Sequence, residues 1–169
     1  AASDVYKRQM YTSRNFYPDA NSTMRLSFGT VCGYTPFDGA EYDYYTTTKG
    51  VLEKVKAHVG DVDFAVQPEI LSLLSSGNFG RYADEKGEMK VCFISNNDIT
   101  GGNSGSAMFN SKGELLGLAF DGNWEAMGSD ILYEPKMQRT IGVDVRYILF
   151  MIEKYGKAGN LIQELNILN

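Results

Sequence analysis

Apolar and polar residues alternate over positions 24–28, which puts Met24, Leu26 and Phe28 on one face of a strand. Residues 51–56 carry a short helical pattern. A second helix starts at Pro68, a residue favoured in a first helical turn, and stops before Gly77 with Ile70, Leu71 and Leu74 on one side. Residues 89–94 form an apolar strand. Ala107-Met108-Phe109 and the apolar run at 115–120 flank the polar turn Asn110-Ser111-Lys112-Gly113, which predicts a hairpin. A polar loop follows Trp124, and residues 138–143 form the last strand. Asp144 suits the N-cap of a helix over 145–155, apolar at Tyr147, Ile148, Phe150, Met151 and Ile152. A final short helix covers 161–165. The five consecutive bulky residues at 147–151 overfill one amphipathic face and predict contact with a further surface, either another lobe or a second subunit.

Composition narrows the class. A chain of 169 residues is one domain's worth, and its formal charge of −5 repels phosphate at long range, so nucleic-acid binding is not expected. Cys32 and Cys92 fall in two different predicted strands and are expected to be buried thiols. No Cys/His cluster suggests a metal site, and no cofactor is expected. The only histidine, His58, lies in the polar stretch Lys54-Val55-Lys56-Ala57-His58 and reads as a surface residue. The aromatic cluster Tyr42-Asp43-Tyr44-Tyr45 suits core or interface packing. Residues 16–21 are a proline-containing lead-in. Ser3-Asp4-Val5-Tyr6-Lys7-Arg8-Gln9 looks like a translated sequencing adapter, with neither the apolar core of a signal peptide nor a spanning segment. Residues 1–9 are therefore set aside, 10–155 read as one lobe with its closing helix, and 156–169 as a tail.

The chemistry concentrates in Thr100-Gly101-Gly102-Asn103-Ser104-Gly105-Ser106, directly after the strand at 89–94. Glycines beside a serine let the backbone turn tightly and bring its own N–H groups to a reacting carbonyl. Ser104 is the candidate nucleophile, with the amides of Gly102 and Ser104 as an oxyanion hole. A plain Gly/Ser turn is the alternative. A phosphate-binding loop would need Gly-Lys-Ser/Thr at its end, which is missing. An esterase elbow would need a helix after the serine, where a hairpin is predicted instead. Strand, glycine loop and hairpin together match the second barrel of a chymotrypsin-like double β-barrel, mostly β with C-terminal helices. Asn103 is neutral and cannot pair with a new N-terminus after zymogen cleavage, so the loop should be held by hydrogen bonds.

From Asn15 onward the chain resembles the last part of the serine dipeptidyl aminopeptidases of peptidase family S46. The resemblance rests on Phe16-Tyr17-Pro18-Asp19-Ala20-Asn21, Gly80-Arg81-Tyr82-Ala83-Asp84 and Asn97-Asp98-Ile99 leading into the serine loop. It continues in Gly117-Leu118-Ala119-Phe120-Asp121-Gly122-Asn123-Trp124-Glu125 and Gln138-Arg139-Thr140-Ile141. One departure is Ala107, where the family usually has proline; alanine should loosen the loop exit. The resemblance implies that Ser104 is the nucleophile and that Asp121 holds the substrate's free α-amino group through a charge-assisted hydrogen bond. It makes Gly122 the floor of the pocket for the second substrate residue, with Phe120 beside them. Absent side-chain volume at Gly122 points to a hydrophobic second residue, whereas acid-preferring relatives place arginine there. An Asp-Gly turn is the alternative reading of Asp121-Gly122. Asp98, six residues before Ser104, could instead select basic substrates as in trypsin-like enzymes, or brace the loop through backbone hydrogen bonds. Trp124 could wall the cleft or pack under the loop.

A serine peptidase also needs a base. In this family the histidine and its orienting aspartate lie upstream of a helical insertion, so the resemblance implies a fragment that is inactive alone. It implies as partners peptide substrates, the upstream half of the same polypeptide and a second copy in a homodimer. It also implies export to the periplasm or cell surface. A catalytically silent peptide-binding barrel and a chymotrypsin-like endopeptidase are the rival functions.

Overall fold

The computed structural model describes Met10, Ser13 and residues 24–129 and 132–168. The lead-in at 16–21 and the adapter-like stretch at 3–9 lie outside the described residues.

Five strands form one antiparallel sheet: β1 (Tyr45–Thr47), β2 (Lys90–Ser95), β3 (Ala107–Phe109), β4 (Leu115–Gly122) and β5 (Thr140–Asp144), in the order β1-β2-β5-β4-β3. The hairpin β3–β4 forms where the turn chemistry places it. Asn110 closes the turn twice, its Oδ1 accepting from the N–H groups of Lys112 and Glu114 at 2.9 and 3.0 Å. Phe93 of β2 decides how the central strands pack. A Cβ on Gly142 would lie 2.9 Å from Phe93 Cζ, and one on Gly117 would lie 2.8 Å from Phe93 Cε1. Two glycines on two strands thus make room for one ring, which bridges β2, β5 and β4.

Packed with the sheet are the helices α1 (Thr48–Ala57), α2 (Pro68–Ser75), α3 (Val145–Phe150) and α4 (Gly159–Glu164), with α3 running into a π-helical turn at Met151–Tyr155. Asp144 caps α3 as its position suggests, accepting from the Arg146 N–H at 2.9 Å while its two oxygens hold the Arg146 guanidinium at 2.9 and 2.6 Å. The main buried cluster joins Leu74 of α2, Leu149 and Phe150 of α3 and Ile162 of α4 to Phe79, Tyr82 and Met89. Phe79 and Tyr82 both meet the Phe150 ring edge-on, at centroid distances of 5.7 and 6.0 Å.

Two expectations are corrected. The fold is mixed α/β rather than mostly β, because its largest core is made where helices and a turn pack together. Among the described residues β1 and β3 stand at opposite edges of the sheet. The alternating stretch at 24–28 is not a strand: Met24, Leu26 and Phe28 are 95%, 85% and 86% exposed. Only just beyond it does the chain reach β2, through the Val31–Ser95 bridge, the Cys32 N–H to Ile94 O at 3.2 Å and the Asn96 N–H to Thr30 O at 3.1 Å. The bulky run at 147–151 is partly absorbed within the chain, with Leu149 and Phe150 buried and Tyr147 and Met151 packed against the cluster.

Candidate active site

β2 delivers the chain into the serine loop, and β4 returns beside it. Gly102 and Gly105 adopt φ of +97° and +85°, a region that a side chain disfavours. The loop is closed on itself by a reciprocal pair. Asn103 Oδ1 accepts from the Thr100 N–H at 3.1 Å, and the Asn103 N–H donates to Thr100 O at 3.1 Å. The Ser106 N–H adds a bond to Asn103 O at 2.9 Å. The loop is then stitched to β4, with the Gly105 N–H donating to Ala119 O at 2.7 Å and the Ala119 N–H to Ser106 O at 2.9 Å. Hydrogen bonds hold this loop, as the neutrality of Asn103 suggests.

Ser104 is exposed at the tip and is not on a helix. Its hydroxyl donates to Phe120 O at 3.3 Å. Among the described residues the N–H groups of Gly102 and Ser104 make no hydrogen bond. The Phe120 carbonyl is available because β4 bulges there. Ala119 pairs with Gly142 and Asp121 with Ile141, so Phe120 and Asp121 together face one residue of β5. Phe120 and Asp121 are exposed, and Asp121 Oδ1 accepts from the Gly122 N–H at 2.8 Å. Ser104, Phe120, Asp121 and Gly122 thus gather around one bulge.

The other sequence candidates fall elsewhere. His58 ends α1, stacked on Phe64 at 3.9 Å between ring centroids, with Nδ1 2.9 Å from Lys54 O. The Asp98 backbone carbonyl accepts the Ser27 hydroxyl at 2.7 Å, which ties the segment before the serine loop to residues 24–28. The Asp98 carboxylate and burial together push the Tyr133 hydroxyl above its usual range, burial being the larger cause. Trp124 is 84% exposed and is not packed under the loop. Cys32 and Cys92 are free and half-buried, and burial pushes the Cys92 thiol up. Ala107, at the loop exit, pairs directly with Leu118 in the hairpin. The room expected at Gly122 is reduced: a Cβ there would lie 2.9 Å from the Ala126 Cβ. Among the described residues no helix is long and apolar enough to cross a membrane.

A family model described as Peptidase S46 matches residues 5–167. The chain belongs to the peptidase S46 family. This S46 chain is 57% identical to Dipeptidyl-peptidase 7 of Porphyromonas gingivalis over 95% of its own length and 22% of that protein's. It is 45% identical to an Asp/Glu-specific dipeptidyl-peptidase of Capnocytophaga gingivalis over 92% of its length and 22% of the relative's. A crystal structure of Porphyromonas endodontalis DPP11 with the dipeptide Arg-Glu superposes with a TM-score of 0.82. It is 42% identical and covers 93% of this chain and 22% of that one. The S46 chain therefore spans about a fifth of the length of the relatives it matches.

Sequence reasoning missed the network behind Asp121 and Gly122 in this S46 chain. Asn123 Nδ2 donates to Glu125 Oε2 and Met137 O, both at 2.8 Å, and Asn123 Oδ1 accepts from the Arg139 N–H at 2.8 Å. Tyr34, 91 residues upstream, donates its hydroxyl to Glu125 Oε2 at 2.9 Å, and its pKa is raised by burial with the carboxylate adding to the effect. Arg139 is buried with its guanidinium on the carbonyls of Gly33, Pro135, Gln138 and Cys32. The Asn123-Trp124-Glu125 and Gln138-Arg139 motifs had been noticed only as resemblance; nothing local links them to Tyr34.

Proposed function

We propose that this chain carries the nucleophile and the amine anchor of a serine exopeptidase that releases dipeptides from free peptide N-termini. One observation carries the reading. An exposed hydroxyl sits in a glycine turn whose Gly102 and Ser104 N–H groups make no hydrogen bond among the described residues, and it faces a bulge that presents a carboxylate and a glycine. Ser104 attacks the carbonyl of the second residue, and the Gly102 and Ser104 amides receive the negative charge that develops on its oxygen. The scissile C–N bond then breaks, the shortened peptide leaves as its amine with the proton taken from the serine hydroxyl, and water hydrolyses the dipeptidyl ester on Ser104. Asp121 holds the substrate ammonium, which fixes the cut two residues from the N-terminus. The base and its orienting acid are supplied by the upstream part of the polypeptide, the sheet described here being one lobe of a chymotrypsin-like pair.

A preference for an apolar second residue is supported by the absence of a side chain at Gly122 and by the Ala126 methyl beside it. Identity to the Asp/Glu-specific relative is lower than to Dipeptidyl-peptidase 7, 45% against 57%, which is compatible with a second residue other than Asp or Glu.

The test replaces the matching segment of the Porphyromonas gingivalis relative with this chain and assays dipeptidyl reporter substrates. Ser104→Ala is expected to remove turnover. Asp121→Ala is expected to lower kcat/KM for free-amine substrates about 10- to 100-fold, the worth of a charge-assisted hydrogen bond. Undiminished turnover in Ser104→Ala refutes the nucleophile. Efficient cleavage of substrates with a blocked amino terminus marks an endopeptidase, and peptide binding without turnover marks a silent barrel.

A further inference from the structure

The Gly122 position is backed by another residue. The Ala126 methyl lies where a side chain at 122 would go, 2.9 Å from the ideal Cβ, and the next atom in that direction is Arg139 O at 3.8 Å. That methyl is fixed. It belongs to the 3-10 turn Trp124–Gly128, in which the Ala126 N–H donates to Asn123 O and its carbonyl accepts from the Ser129 N–H, both at 2.9 Å. The turn is tied on one side to Arg139 through Asn123 and on the other to Tyr34 through Glu125. A second observation places Ala126 against the approach to the nucleophile. With Ile99 and the polar Asn97, Asp98, Tyr133, Arg139 and Thr140 among its neighbours it borders a cavity of ≈ 10 Å³, room for about one water. The segment before Ser104 and the turn after Gly122 thus meet at this methyl.

We infer that Ala126 is a specificity-determining residue, its methyl setting the depth of the pocket that takes the second substrate side chain. The inference rests on the roles given above to Ser104 and Gly122. Removing the methyl opens the cavity towards Ile99 and deepens the pocket; enlarging it fills what remains. Tyr34 and Glu125 act as positioning residues that keep the methyl in place.

The same chimeric enzyme tests this with Ala126→Gly and Ala126→Val, assayed on reporters carrying Ala, Leu or Phe as second residue. Ratios of kcat/KM between substrates cancel the fraction of folded enzyme, so a destabilised variant still reports. The Phe/Ala ratio is expected to rise about 10-fold in Ala126→Gly and to fall about 10-fold in Ala126→Val, the discrimination typical of one carbon in an apolar pocket. Ratios within twofold of the parent in both variants, or equal loss on all three substrates, overturn the inference. Residual turnover in Ser104→Ala sinks the catalytic reading itself. A dead Ser104→Ala with unmoved ratios sinks only the role of Ala126.

Discussion

Asn103→Ala isolates what the serine loop contributes. The side chain supplies one bond of the pair that closes the turn, accepting from the Thr100 N–H at 3.1 Å, while the backbone bond to Thr100 O does not depend on it. One such bond is worth about 1 kcal/mol net, rising to about 2 kcal/mol when a half-buried donor loses its acceptor. In the proposed reaction the loop holds the Gly102 N–H in place as charge develops, so the loss should fall on the transition state. A penalty of about 1–2 kcal/mol corresponds to a kcat lower by about 5- to 30-fold. KM should move little, because Asp121 and Gly122 lie on β4 and not in the loop. Single-turnover acylation of the chimeric enzyme with a reporter ester separates this step from deacylation. Acylation within twofold of the parent would show that the backbone bonds alone hold the turn. A fall as large as that of Ser104→Ala would show that the loop collapses without the side chain.

Two further predictions concern the scaffold. Asp144→Ala removes the cap of α3 and the anchor of Arg146. It should cost about 1–2 kcal/mol, the arginine's share discounted for its exposure, which lowers the melting temperature by about 2–8 °C; Asp144→Asn should recover most of the loss, as read by thermal denaturation. The Glu153 carboxyl is held below its usual range chiefly because the Tyr82 hydroxyl donates to it at 2.5 Å. A depressed carboxyl contributes stability that is complete above its unfolded value, about pH 4.3, and fades as pH falls through the folded value. Denaturant midpoints should therefore separate parent from Tyr82→Phe at pH 7 and converge by more than half at pH 3. An undiminished gap at pH 3 would place the hydroxyl's contribution in the bond it accepts from the Arg81 guanidinium rather than in the one it donates to Glu153.

How much could be seen in the sequence follows from how local each signal is. The hairpin, the Asp144 cap, the helix at Pro68 and the glycine turn around Ser104 are each written within a few residues, and each formed where expected. β1 was not foreseen: Tyr45, Thr46 and Thr47 are too few to show a period, and the tyrosines drew attention as a packing cluster. Met24, Leu26 and Phe28 show the opposite failure. Their alternation is regular, yet a strand needs a neighbour to bond with, and only Thr30–Cys32 reach the edge of β2. At the candidate site, Ser104, Asp121 and Gly122 could be picked out because their residue types carry chemistry. Ala126, Tyr34 and Glu125 could not, because a methyl group and a distant phenol acquire meaning only through where the fold puts them.

The extra residue at Phe120 has a consequence for how such a site can change. Side chains on a strand swap faces at every step, so one unmatched residue resets which way everything after it points. Gly117 and Ala119 are buried, whereas Asp121, the next residue in that alternation, is exposed. Substitutions downstream of this offset leave the orientation of each position intact and can revise what is bound there one residue at a time. A deletion at Phe120 would turn Asp121 to the opposite face, so chain length at this point should be held more tightly than residue identity.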